Sequence, residues 1–174
     1  CGKCCYGALP LTIDDALAHA GKFPLLMIWT PVRQGGRSYR ITAELGITIQ
    51  LGRRRRAAVR IAPTAYIPPG FPCPELAADG LCGIHDVKPQ RCRTRPYSAW
   101  RDEKDQEDLM IPRSGWACDV SDQAPVVYRD KSITDRHDFE VERQQLVGDG
   151  AILKPYAQWL LDSQPSLAME LNKV

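Results

Sequence analysis

Seven cysteines, at positions 1, 4, 5, 73, 82, 92 and 118, constrain this chain more than any other feature. Three of them crowd the start, in Cys1-Gly2-Lys3-Cys4-Cys5, and three lie along a path rich in proline and glycine between Cys73 and Cys92. A buried structural cysteine normally sits within an apolar periodic run, and Cys73, Cys82 and Cys92 do not. An extracellular disulfide framework favours an even count and serves mainly chains under about 100 residues, too short for a core of their own. With 174 residues and 44% of them apolar, this chain has material for a real core without covalent staples.

Metal binding in a reducing cytoplasm is therefore the expected use of these thiols. Two cysteines separated by two residues, as Cys1 and Cys4 are, turn both sulfurs toward one ion, because the tight turn between them rings the sulfurs with backbone N–H groups. Gly2 and Gly7 supply the backbone freedom for such turns. Cys4 and Cys5 are adjacent and point in different directions, so they serve two metals, or one ligates and the other packs. Arg91, Arg93 and Arg95 flank Cys92, and cationic neighbours lower thiol pKa and offset the charge of a thiolate site. Cys118, in Gly115-Trp116-Ala117-Cys118-Asp119, is either a ligand from a distant loop or a buried thiol beside Trp116. The candidate ligands are thus Cys1, Cys4, Cys5, Cys73, Cys82, Cys92 and Cys118. Sulfur donors exclude magnesium and calcium. Structural zinc tends to use two CxxC knuckles where this chain has one, and Cys73 precedes Pro74, which favours an iron–sulfur cluster of the [4Fe–4S] type, with zinc as the alternative.

The rest of the chain is expected to form a single α+β domain over residues 1–174. A small antiparallel sheet, a few helices and irregular cysteine-rich loops are organised around the metal site. Leu11 to Gly21 reads as a short helix, capped by Thr12 and favoured by Asp14 and Asp15 in its first turn. Strand character follows at Leu25–Thr30, Ser38–Glu44, Gly46–Leu51 and Ala57–Ala62, with a turn over 34–37. Pro63 to Pro74 is expected to be irregular, and Arg101 to Asp108 a charged surface segment. Asp135–Val147 reads as a helix, and a second is expected to begin near Lys154 with Pro155 in its first turn and Tyr156, Trp159 and Leu160 facing the core.

Several features carry the plainer reading. His85 is expected to be structural, His19 and His137 surface or structural residues, and Arg53–Arg56 a solvated turn. The net charge of +2 gives little reason to expect nucleic acid. The four tryptophans at 29, 100, 116 and 159 are expected in the core or shielding a cluster. The longest apolar run, Phe23 to Trp29, falls far short of the roughly 20 residues of a membrane span, so no membrane is expected. No signal-like segment stands before Cys1, and cytoplasmic localisation is expected on that ground, although prior removal of a leader would leave the same start.

Cys1-Gly2-Lys3-Cys4-Cys5, Gly80-Leu81-Cys82-Gly83-Ile84-His85 and Lys88-Pro89-Gln90-Arg91-Cys92-Arg93 together resemble the YkgJ-type cysteine-cluster family. The resemblance covers the first seven residues and 71–97. It implies a zinc- or iron-chelating domain, and the expected use of the metal is a structural or electron-transfer role toward a protein partner. Flagellin lysine N-methylases share the pattern, which implies the alternative of an enzyme, or enzyme subunit, in methyl transfer. The lack of a glycine-rich loop after a strand to cradle S-adenosylmethionine counts against that alternative, and enzyme activity is left open. His85 stands where the family has tyrosine, and Lys88 where it has arginine. The family also carries a cysteine three residues before the position of Cys1; either this sequence begins short of it, Cys118 takes its place, or the site is built differently.

Overall fold

The computed structural model describes residues 2–51 and 55–172. Cys1, Gly52, Arg53, Arg54, Lys173 and Val174 lie outside the described residues, so the expectations for Cys1 and for Arg53 and Arg54 do too. Among the described residues the architecture is α+β: a four-stranded antiparallel sheet, a two-stranded hairpin and five α-helices. Strand β4 (Arg56–Ala65) is the spine. One edge carries β2 (Leu25–Arg33) along its whole length, from Leu25 opposite Ala65 to Arg33 opposite Ala57. The other edge is shared by β3 (Ile47–Gln50), beside Arg56–Val59, and β1 (Leu9–Pro10), beside Thr64 and Ala65. From Ala57 to Ala65 only Arg60 of β4 escapes burial, because elements cover both faces of the sheet. The strand runs through Pro63, beyond its expected end at Ala62, and the Pro63 carbonyl accepts from Leu11 N–H at 2.8 Å. Strands β5 (Tyr128–Arg129) and β6 (Ser132–Ile133) form the hairpin.

Helix α1 (Ile13–Ala18) begins as its sequence demands, with Thr12 Oγ1 accepting from Asp15 N–H at 3.2 Å. Ser38–Glu44 is a helix where a strand was expected. Helix α2 (Tyr39–Leu45) buries Ile41, Thr42 and Leu45, a helical spacing that outweighs the β-branched character of Ile41 and Thr42. It ends at Gly46, where a Cβ would stand 2.1 Å from the Val59 carbonyl oxygen, so only glycine allows the chain to turn this close to β4. A four-residue helix, α3 (Gln90–Arg93), carries Cys92.

The two late helices expected from the sequence are one, α4 (His137–Ser163), with Pro155 inside it, followed by α5 (Ser166–Leu171). Its buried residues, Phe139, Glu142, Leu146, Asp149, Gly150, Leu153 and Ala157, repeat at three and four and make one stripe along the helix. Tyr156 and Trp159 point outward, with Trp159 62% exposed, and Leu153 and Ala157 take the core positions instead. Gly150 lets the helix approach α2, since a Cβ there would sit 2.8 Å from the Leu45 carbonyl.

Asp149 accepts from the Ile13 N–H at the start of α1 at 3.0 Å. Burial, with Asp14 and Asp15 close by, nevertheless raises its carboxyl from the ordinary 3.8 to about 6. The folded chain therefore binds this proton more tightly than the unfolded one, and stability falls as pH rises from about 4 to about 6. Asp149→Asn keeps an acceptor for Ile13 and removes the buried charge. It is expected to raise stability at pH 7 by about 1–3 kcal/mol and to flatten that slope, as urea unfolding at pH 4.5 and pH 7 will read. Equal gains at both pH values would refute this account.

Three core clusters follow from this layout. One packs α2 and the first half of α4 against Tyr97, Ala99 and Trp100. A second joins β3 and β4 to Leu153, Ala157 and Leu171. The third, built on Leu9, Leu11, Ala16, Phe23, Ala65 and Ile84, is the floor on which Cys73, Cys82 and Cys92 rest.

Candidate metal centre

Cys4 and Cys5 sit in a single 3-10 turn, Lys3–Cys5, entered through Gly2 in the left-handed region at φ 61° and closed by Cys5 N–H to the Gly2 carbonyl at 3.0 Å. Side-chain bulk at Gly2 would press on Leu76 Cδ1 at 3.0 Å, so this turn lies against the loop that follows Cys73. Backbone bonds tie the two together. Tyr6 bridges Pro72, and Cys73 N–H donates to the Cys5 carbonyl at 2.6 Å.

From Cys73 the chain doubles back on itself. Leu76 bridges Cys82, Ala77 N–H donates to Leu81, and Gly83 N–H donates to Glu75 at 2.7 Å. Gly80, at φ 81°, makes the reversal. Cys92 arrives from a third direction on α3. Asp15 of α1 holds that helix by accepting from Gln90 N–H at 2.8 Å. Three separate segments therefore bring Cys4, Cys5, Cys73, Cys82 and Cys92 into one neighbourhood.

Their chemistry records the proximity. Burial pushes the Cys5 thiol up to about 12, and Cys4, hydrogen-bonded to it, adds to the rise together with Cys73 and Cys92. Burial lifts Cys92 to about 11 against the pull of Arg95, with Cys4, Cys73 and Cys82 adding to the rise. Cys73 is likewise raised, first by burial and then by Cys82, Glu75 and Cys4, against a backbone hydrogen bond at Glu75. Several thiols that resist ionisation because they are desolvated and repel one another ionise together only with a cation among them. The donor set suits a soft or borderline metal. All six described cysteines are free thiols. Among the described residues, no three His, Cys, Asp or Glu side chains already stand around one point as a metal-holding group.

The flanking arginines divide their work in a way the sequence did not indicate. Arg95 is the flanking arginine that pulls against the rise of the Cys92 thiol. Arg91 turns away, donating to Glu142 of α4 at 3.0 Å and 3.3 Å and to the Tyr97 carbonyl. Arg93 donates to the carbonyls of Lys88 and Asp86. His85 is exposed on the 3-10 turn His85–Val87, and His137 is exposed at the start of α4. His19 is buried, as a structural histidine is.

Cys118 lies exposed on the long loop after Pro112 and shares a cavity of about 810 Å³ with Cys4. Sequence reasoning missed this cavity, because its walls come from β4, the segment after α3 and the 98–120 loops. It also missed the reason those loops hold their shape. Gln106 is fully buried within the stretch expected to be mere charged surface; it donates to the carbonyls of Ser98 and Asp102 and accepts from Ser98 N–H at 2.9 Å. No signal short of the fold marks one glutamine among so many charges as a core residue.

No protein-family model, curated protein or solved structure matches this chain. No described helix is long and apolar enough to cross a membrane.

Proposed function

We propose that this chain is a metal-binding domain that holds an iron–sulfur cluster, or alternatively zinc, through cysteines drawn from Cys4, Cys5, Cys73, Cys82 and Cys92. The observation that carries the reading is the convergence of the three chain segments that bear these five thiols, with Cys73, Cys82 and Cys92 packed on an apolar floor and each of Cys5, Cys73 and Cys92 resisting ionisation beside the others. A bound cation reverses that balance, since thiolate ligation offsets both desolvation and repulsion. Such a centre would tie the N-terminal turn to the loop after Cys73 and to α3, and a cluster would supply one-electron transfer to a protein partner. The resemblance to the YkgJ-type family agrees with this reading, and the methyl-transfer alternative rests on the resemblance alone. The ligating side chains turn inward on binding while the backbone bonds between Cys5 and Cys73 hold the segments in place.

Anaerobic purification followed by iron, zinc and acid-labile sulfide analysis tests the proposal. Iron and sulfide in comparable amounts, with a broad absorbance shoulder near roughly 400 nm, are expected for a cluster. About one zinc in a colourless protein selects the alternative. A protein that takes up neither metal after anaerobic reconstitution would end the proposal.

A further inference from the structure

The cavity beside Cys4 is built from positive charge. Its walls include Arg60, Arg91, Arg95, Arg101 and Arg113 against only Asp108 and Asp119, five cations to two anions. Two of the five are neutralised locally: Arg91 is paired with Glu142, and Arg101 with Asp108 at 2.8 Å, an aspartate that also binds Arg37 at 2.7 Å. The remaining three meet no carboxylate among the described residues. Arg60 rises from β4, lies over the Trp100 ring at 5.7 Å and donates to Thr30 Oγ1 at 3.5 Å. Arg95 has its Nε buried without a hydrogen-bond partner among the described residues. Arg113 lies over Trp116 at 5.8 Å. Arg60 and Arg95 are half-buried and Arg113 is exposed. A half-buried guanidinium left without an anion is costly, and the planar donor forks of all three match the oxygens of phosphate and carboxylate. Trp116, Met110 and Val120 offer apolar surface in the same walls for the rest of a small molecule.

We propose that this cavity binds a small, multiply charged oxyanion, a phosphate ester or a polycarboxylate, held by Arg60, Arg95 and Arg113. The site goes beyond the metal reading and does not depend on it. Arg95 also faces Cys4 and Cys92, but Arg60 has only Arg91 as a charged neighbour acting on it, so the thiols do not account for Arg60.

Isothermal titration of the purified protein with pyrophosphate and with citrate tests the site, and the two arms separate phosphate from carboxylate preference. Saturable binding to at least one is expected, weakened about tenfold or more by Arg60→Gln and by Arg95→Gln and unchanged by Arg136→Gln, whose side chain pairs with Glu103 and Glu140 away from the cavity. Metal content of Arg60→Gln is expected to equal that of the unaltered protein. Loss of metal and anion together in that variant would assign the arginine to the metal site and overturn the proposal, as would absence of saturable binding to both anions. The unaltered protein gives a second readout that needs no variant: the bound anion should slow alkylation of Cys118, which lines the cavity, and leave Cys82, which does not, at its own rate. Equal rates for Cys118 with and without saturating anion would also overturn it.

Discussion

Glu142→Ala is expected to lower the unfolding free energy by about 3–5 kcal/mol. Glu142 is 2% exposed on the inner stripe of α4, and its two carboxylate oxygens accept from Arg91 Nη1. Truncation leaves the Arg91 guanidinium, itself 12% exposed, without its counter-ion in a site that water does not reach freely. The Tyr97 carbonyl remains to Arg91 as one acceptor and does not replace a charge. The pair itself contributes much less than this loss, because both ions were desolvated to form it. Glu142→Leu combined with Arg91→Met is therefore expected to recover most of the stability, and urea unfolding of the single and double variants distinguishes the cases. A loss under about 1 kcal/mol in Glu142→Ala would mean that water or another group serves Arg91. Arg91 adjoins Cys92, so the same substitution is expected to loosen the placement of that thiol.

The same stripe explains where the sequence could be read and where it could not. Of its seven buried positions, Glu142 and Asp149 are charged and Gly150 has no side chain, so its apolar periodicity is broken where tertiary partners complete it. Arg91 completes it at Glu142, the Ile13 N–H at Asp149, and the Leu45 carbonyl at Gly150. A reading that weighs apolar spacing therefore divides one helix near Gly148 and assigns the core to Tyr156 and Trp159, which solvent reaches. Local chemistry was legible where it was sufficient. Thr12 caps α1 without help, and the apolar runs at Leu25 and Ala57 find one another as β2 and β4. Ser38–Glu44 failed because burial of Ile41 and Leu45 four residues apart decided its form, and burial is a property of the fold. The cysteines stood out because their path of prolines and glycines has no apolar period that would place thiols in a core, although Cys73, Cys82 and Cys92 do rest on one. The arginine cavity did not stand out, since Arg60, Arg95 and Arg113 lie far apart in the chain and only the fold gives them a common wall.

Cys92→Ser and Cys82→Ser are expected to lose bound metal and to melt lower by about 6–12 °C, the shift that roughly 3 kcal/mol produces in a domain of this size. The argument is one of linkage. A ligand that binds only the folded chain adds its binding free energy to folding, and metal sites in small domains add several kcal/mol. Serine nearly preserves the volume of cysteine and leaves the floor of Leu9, Leu11 and Ile84 intact, so a packing effect alone would be small. Cys118→Ser supplies the contrast: its thiol is exposed on the cavity wall, and the substitution is expected to keep both metal and melting temperature. Chelation of the unaltered protein should reproduce the melting temperature of Cys92→Ser, and adding chelator to Cys92→Ser should change nothing further. If Cys92→Ser, Cys82→Ser and Cys118→Ser all keep the metal, the five thiols are packing and the metal, if present, is held elsewhere. If Cys118→Ser alone loses it, the centre lies in the arginine-walled cavity, with Cys4 as the thiol common to both places.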